Sequence, residues 1–93
     1  MMEKLFKNTA NLMLSKDYKE RFIAEYAQLA YRYSRLSLMV AKWDKGQLEF
    51  TPTCSRDIYI KQLRYMRKYL KILEERAKLE DINLSLENLE KHA

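Results

Sequence analysis

Basic and aromatic side chains are interleaved at helical spacing in two parts of the sequence. Lys61, Arg64, Lys68 and Lys71 recur every three or four residues, with Tyr65 beside them and Asp57 as the one acidic residue between 56 and 71. Cations neutralise phosphate groups and aromatic rings stack on bases. This pattern predicts a site for an anionic ligand of nucleotide type, formed by Lys61, Arg64, Tyr65, Lys68, Tyr31, Arg32 and Arg35.

A solvated helix face is the alternative interpretation of the same residues. Basic runs on helices commonly face water, and long lysine and arginine stems also shield neighbouring apolar surface. The net charge of +5 favours an anionic partner whether these residues form a ligand site or a solvated face. A nucleotide, a nucleic acid and an acidic protein surface are all partners of this kind.

Residue sets that support catalysis or metal binding are lacking in this sequence. Its single cysteine, Cys54, has no second thiol with which to form a disulfide, and its single histidine, His92, has too few partners for a metal site. The sequence has no nucleophile paired with a base, no glycine-rich phosphate loop and no paired carboxylate site. We therefore expect a protein that is not an enzyme and that uses no metal or cofactor.

Two long amphipathic helices are predicted to position these side chains. Apolar residues alternate at intervals of four and three in two series, a spacing that places them on one face of a helix. The first series is Phe22, Tyr26, Leu29, Tyr33, Leu36, Val40 and Trp43, and the second is Tyr59, Leu63, Met66, Leu70, Leu73 and Ala77. Each series predicts one helix whose apolar face packs on the other.

The single glycine and the single proline separate these two series. Gly46 and Pro52 are typical of a helix end and a turn. We expect one domain, 1–93, with an N-terminal segment 1–15, helix one 16–45, a turn 46–55, helix two 56–80 and a C-terminal tail 81–93. The predicted fold is all-α, an antiparallel coiled-coil-like hairpin with short helical segments at both ends.

A second stripe of mostly small residues follows helix one beside its apolar face. It consists of Ile23, Ala27, Ala30, Ser34, Ser37 and Ala41. Small residues allow another helix to approach closely, and two stripes make a wider face than one partner helix covers. We predict a homo-oligomer that packs through this stripe into a helical bundle. The alternative is that the N-terminal and C-terminal segments of the same chain cover it.

The apolar runs also bear on where the protein acts. None approaches the ~20 residues that span a bilayer, and the polar run Asn8-Thr9-Ala10-Asn11 is unlike the apolar core of a secretory signal. The sequence therefore predicts a cytoplasmic protein without a membrane partner.

The loop and several positions of helix two resemble a widespread family of small phage and prophage proteins. That family is named after a gene of crAss-like phages, and the resemblance covers roughly residues 18–82. It rests on Leu48-Glu49-Phe50-Thr51-Pro52-Thr53-Cys54, Gln62, Met66, Tyr69-Leu70, Leu73-Glu74 and Arg76-Ala77. Family members often have proline where this chain has Ser55. The resemblance implies a phage origin and action in the host bacterial cytoplasm, and it carries no set of functional residues.

The architecture also looks like the helical hairpins with which phages sequester cyclic nucleotide signals of CBASS and Thoeris immunity. Those proteins form ring-like oligomers with ligand pockets between protomers. The analogy implies a counter-defence protein that sequesters an anionic immune signal or blocks a host defence protein. Two alternatives remain open, a nucleic-acid-binding accessory protein that uses the basic face, and a structural coiled-coil adaptor.

Overall fold

The described residues form three helices, and the two long ones pack as the predicted hairpin. The computed structural model describes residues 2–85. Within that range α1 spans Met2–Met13, α2 spans Tyr18–Asp44 and α3 spans Arg56–Leu79, and the described residues contain no strand. The all-α hairpin fold is thereby confirmed. Residues 82–85 are not helical, and the rest of the predicted C-terminal segment lies outside the described residues.

The start of α2 is defined by side-chain hydrogen bonds in the short link that follows α1. The Asp17 carboxylate accepts a hydrogen bond from the backbone N–H of Lys19 at 2.9 Å and so caps the helix. The Ser15 hydroxyl donates to Glu20 Oε1 at 2.6 Å and accepts from the Asp17 N–H at 3.1 Å. The bonds from the Asp17 and Lys19 N–H groups satisfy backbone donors that the start of a helix leaves unpaired.

The end of α2 depends on the left-handed backbone of Gly46, whose φ is +68°. This conformation lets the Gly46 N–H donate to the Trp43 carbonyl at 3.0 Å and the Gln47 N–H donate to the Lys42 carbonyl at 2.9 Å. Such a pair of bonds terminates a helix and turns the chain away from its axis. The turn then leads through Pro52 into α3.

Replacing Gly46 by alanine is expected to lower the free energy of unfolding by about 1 kcal/mol. A Cβ atom would meet no heavy atom within 4 Å, so the cost arises from the left-handed φ and not from a clash. Urea unfolding followed by circular dichroism measures it. Lys45→Ala is the matched control, and an equal loss of stability in both variants would contradict this account.

Polar and aromatic contacts close the hairpin at its tip. The Arg56 guanidinium forms two hydrogen bonds with the Asp44 carboxylate, at 2.8 and 2.9 Å. The bond to Arg56 lowers the pKa of Asp44 below its ordinary value. The rings of Trp43 and Tyr59 meet edge to face with their centroids 6.0 Å apart. The ends of α2 and α3 are thereby held together across the turn.

The hydrophobic core lies at the opposite, base end of the hairpin. It is a cluster of six buried residues, Phe22, Ile23, Ala27, Leu73, Ala77 and Ile82. Ile82 reaches this cluster because Asp81 adopts a left-handed φ of 58° and the Ile82 N–H donates to the Ala77 carbonyl at 2.8 Å. The chain that leaves α3 therefore turns back over the core.

Helix α1 packs along α2 and contributes to the same core. Thr9 is buried, and Gln28 Nε2 donates to Thr9 Oγ1 at 2.9 Å. Leu12 packs against the buried cluster. Ile23 and Ala27, predicted to lie at an interface between copies, are buried inside the chain. Segments from both ends of the chain cover Ile23 and Ala27. At these two positions the small-residue stripe is therefore covered by its own chain, which was the alternative to an interface between copies.

Two reciprocal tyrosine–glutamate hydrogen bonds join α2 to α3 above the core. The Tyr26 hydroxyl of α2 donates to Glu74 Oε2 at 3.0 Å, and the Tyr69 hydroxyl of α3 donates to Glu25. Burial and the neighbouring Glu74 carboxylate raise the pKa of Tyr26 to about 12, so its phenol stays protonated. Both carboxylates are thus engaged in holding the helices together.

The middle of the hairpin is less well covered than its base. Among the predicted core residues of this region, Val40 is buried, whereas the others are half-buried, namely Tyr33, Leu36, Leu63, Met66 and Leu70. Two helices that pack side by side leave part of each apolar stripe open, because each has a single neighbour there. This half-covered region adjoins the site described next.

Candidate functional site

A basic groove runs between α2 and α3 on one side of the hairpin. Its volume is about 410 Å³, within the range of ~300–1,000 Å³ that small-molecule sites occupy. The lining residues are Tyr33 from α2 and Ile60, Leu63, Arg64, Arg67, Lys68 and Lys71 from α3. Their spacing on α3 follows one face of the helix, next to the stripe that packs on α2.

The groove combines an apolar floor with a strongly positive rim. Tyr33, Ile60 and Leu63 are half-buried, whereas the four cations of the lining are exposed. The lining contains no carboxylate. In the part of the chain that the structure describes, ion pairs join Arg56 to Asp44 and Arg76 to Glu80 and involve none of these four cations. Four positive charges therefore remain available to an anion.

The ring of Tyr65 lies close to two of these cations, on the side away from the groove. The Arg64 guanidinium carbon lies 6.0 Å from the centroid of the Tyr65 ring, and Lys68 Nζ lies 5.5 Å from it. Both distances allow cation–π attraction. The ring of Tyr65 is itself exposed and is not part of the groove lining. Arg64 and Lys68 therefore lie between the groove and the Tyr65 ring.

The remaining residues of the predicted ligand site lie elsewhere. Lys61 is exposed on α3 outside the groove lining, and Arg32 is exposed on α2. Tyr31 is half-buried on α2 and is not in the lining either. Arg35 lines a separate cavity of about 520 Å³ near the hairpin tip, between α2 and the loop that contains Leu48 and Phe50. The structure thus keeps Lys61 next to Arg64, Tyr65 and Lys68 on α3, although only Arg64 and Lys68 line the groove. Tyr31, Arg32 and Arg35 lie on α2 outside the groove lining.

The groove also contains residues that the predicted site omitted. Arg67 and Lys71 follow Arg64 at three and seven residues, a spacing that places all three on one helix face. This signal is visible in the sequence. The participation of Tyr33 is not visible in the sequence, because its spacing assigns it to the core stripe. In the structure its ring lies at the open edge of the helix pair and lines the groove.

Part of the predicted oligomer interface remains at the surface. Ser34 and Ala41 are exposed, and Ala30 and Ser37 are half-buried. Ala30 and Ser37 lie three residues before and four residues after Tyr33, on the same side of α2. An interface between copies at these four residues stays a prediction.

This arrangement suits ligand binding more than catalysis. Four cations around apolar and aromatic side chains can attract phosphate groups and cover a flat ring, and the lining contains neither a carboxylate nor a histidine. In the described residues, no three His, Cys, Asp or Glu side chains are grouped as metal ligands. No helix of the described chain is both long and apolar enough to cross a membrane.

Comparison with known protein families matches residues 16–79 to a family described as Sequestin. This range holds α2, the turn and α3, and with them every residue of the basic groove. It overlaps the segment that resembles the crAss-like phage family, although the matching family has a different description. No curated protein and no solved structure matched the chain. Because the match covers more than half of the 93 residues, the chain belongs to the Sequestin family.

Proposed function

We propose that this protein is a phage-encoded counter-defence protein that sequesters an anionic immune signal of the cyclic nucleotide type. It acts in the host bacterial cytoplasm and carries out no catalysis. Binding in the basic groove lowers the concentration of free signal, and the host effector that depends on the signal stays inactive. A protein that works in this way needs high affinity for the signal and enough copies to bind it, but it needs no catalytic turnover.

The observation that carries this proposal is the composition of the groove. Arg64, Lys68, Arg67 and Lys71 line the groove. In this proposal Arg64 and Lys68 hold phosphate oxygens, and Arg67 and Lys71 add charge along the same rim. The ring of Tyr33 provides an aromatic surface beside them. Cations next to an aromatic ring satisfy both parts of a nucleotide, the phosphate and the base. The description of the family as Sequestin agrees with a protein that withholds its ligand.

Isothermal titration with a panel of cyclic nucleotides tests the proposal on the full chain. We expect at least one member to bind with micromolar or tighter affinity, because several charge-assisted hydrogen bonds form at once. Native mass spectrometry of protein from expressing cells would report a retained ligand and the number of copies together. If no cyclic nucleotide binds at micromolar protein, sequestration of such a signal is wrong. Inhibition of a host defence protein would then be the surviving version.

A nucleic-acid accessory function is the second candidate. It is favoured by the length of the basic surface, since exposed Lys78 follows Lys71 by seven residues beyond one end of the groove and exposed Lys61 adds a charge beside it. Contacts with many phosphates make affinity fall steeply with salt, by about 10³- to 10⁵-fold between about 50 and about 200 mM for six to ten phosphates. A compact nucleotide with few phosphates would lose far less over the same range.

A further inference from the structure

The cavity near the hairpin tip, between the end of α2 and the loop that follows it, is a second candidate for a ligand site. We call it the tip cavity. Its volume is about 520 Å³, larger than the basic groove and within the range of ~300–1,000 Å³ that small-molecule sites occupy. Five of its nine lining residues are apolar, and none of the nine lines the basic groove. The two spaces are therefore separate sites on the same hairpin.

The α2 wall of the tip cavity carries a cation at each end and apolar side chains between them. Arg35, Leu38, Met39 and Lys42 follow one another at intervals of three, one and three residues, which places all four on one face of the helix. Arg35 and Lys42 are exposed and stand about 10 Å apart along the helix axis. Among the described residues, no ion pair includes either of them. Both charges remain available to a ligand that covers the apolar surface between them.

The opposite wall is formed by a loop that is longer than the hairpin needs. Residues 45–55 join α2 to α3, whereas connections between neighbouring helices commonly take about 2–8 residues. The left-handed backbone at Gly46 turns the chain off the helix axis, and Leu48 and Phe50 come to lie beside α2. Phe50 is 57% exposed, and Leu38 of the α2 wall is 48% exposed. Two large apolar side chains thus border a space that the described residues leave open.

We propose that the tip cavity binds a small organic anion with an apolar body, such as an aryl or acyl carboxylate. The body packs against Leu38, Met39 and Phe50, because this contact removes apolar surface from water. The carboxylate accepts hydrogen bonds from the Arg35 guanidinium, whose planar fork matches two carboxylate oxygens. Met39 has an unbranched, flexible side chain that adapts to bodies of different shape.

The charge of the tip cavity distinguishes its ligand from that of the basic groove. The lining of the groove has four cations and no carboxylate, which favours a ligand with several phosphates. The tip cavity has two cations, Arg35 and Lys42, and one carboxylate, Glu49. One positive charge is left over, so a ligand with a single negative charge balances the site. Binding here does not depend on the proposed nucleotide site.

Amide NMR of the isotope-labelled full chain, titrated without nucleotide, tests the proposal with two probes. Phenylbutyrate and octanoate share the carboxylate and differ in the body, so the tighter binder shows whether an aryl or an acyl body fits better. We expect it to bind with a dissociation constant of roughly 0.1–1 mM, as suits a ligand of its size. The signals that shift should belong to Gln47–Phe50 and the last turns of α2. If neither probe shifts these signals at millimolar concentration, or if the shifts lie only in α3, the proposal is wrong.

Two substitutions test the head group and the body separately. Arg35→Glu should raise the dissociation constant of the tighter probe by at least about tenfold, and Phe50→Ala by about three- to tenfold. Circular dichroism should show unchanged helix content, because both side chains are exposed. Arg32→Glu is the matched control, since Arg32 is exposed on α2 outside the cavity lining.

Two outcomes of these measurements contradict an anion site at the tip. Equal losses in Arg35→Glu and Arg32→Glu would mean that the overall charge attracts the probe and that the cavity does not recognise its carboxylate. Equally tight binding of the neutral amide of the same probe would mean that the positive charges of the lining play no part. Nucleotide titration of the basic groove is a separate measurement, so the failure of either site can be told from the failure of the other.

Discussion

The double variant Arg64→Glu, Lys68→Glu is expected to bind nucleotide at least about 100-fold more weakly than the wild type. Each side chain lines the groove and is free to donate a charge-assisted hydrogen bond to phosphate. Such a bond contributes about 1.5–3 kcal/mol, so the loss of two corresponds to about 10²- to 10⁴-fold in affinity. Repulsion between the new carboxylates and phosphate adds to this loss. Isothermal titration with the nucleotide that binds the wild type most tightly measures the difference.

The control for this variant must change the net charge by the same amount at another place. Lys16→Glu, Lys45→Glu does so, because both lysines are exposed and neither lines the groove. It should retain most of the affinity, with a small loss from the weaker overall field. Equal losses in the two double variants would mean that long-range charge, and not the groove, attracts the ligand. Full activity of the Arg64 and Lys68 variant in cells would instead favour the structural adaptor.

Leu73→Ala is expected to lower the free energy of unfolding by about 2–5 kcal/mol. Leu73 is 1% exposed and packs in the cluster that joins α2, α3 and the chain after α3. Truncation removes buried methyl groups and leaves a cavity that neighbours from three segments can fill only in part. A protein of this length has roughly 5–14 kcal/mol of total stability, so the variant loses a large fraction of it. Urea unfolding followed by circular dichroism measures the loss.

Leu14→Ala is the matched control for this core substitution. It makes the same chemical change at a leucine that is 84% exposed in the link after α1. We expect its stability to stay within about 0.5 kcal/mol of the wild type. A similar loss in the two variants would mean that the buried cluster is not the main source of stability, and that α3 is held chiefly by its contacts at the tip.

The half-covered middle of the hairpin links stability to the proposed function. Tight packing there would bury Tyr33 and close the groove, whereas a core confined to the base leaves the groove open between two helices that are fixed at both ends. Tyr26 and Tyr69 bond to Glu74 and Glu25 near the base, and Arg56 bonds to Asp44 at the tip. The two helices can therefore keep their spacing without filling the space between them.

Helix positions were largely predictable from the sequence, because they depend on local spacing and on a few residues at helix ends. The four-three intervals and Gly46 placed the helices close to their observed bounds, Tyr18–Asp44 and Arg56–Leu79. Arg64 and Lys68 were recognisable as neighbours for the same reason, since residues four apart share a helix face. Local periodicity thus determined the hairpin and the centre of its basic face.

The tertiary structure decided which of these faces are covered and which residues from different helices meet. Helix periodicity predicts the direction in which a side chain leaves the helix, but it does not predict what packs against that side chain. Ile23 and Ala27 became core because α1 and Ile82 lie over them. Tyr33 entered the groove and Arg35 a separate cavity, because their surroundings depend on how α2 lies against α3 and the loop. Contacts between residues distant in sequence arise only when the helices pack, and the open groove is one such result.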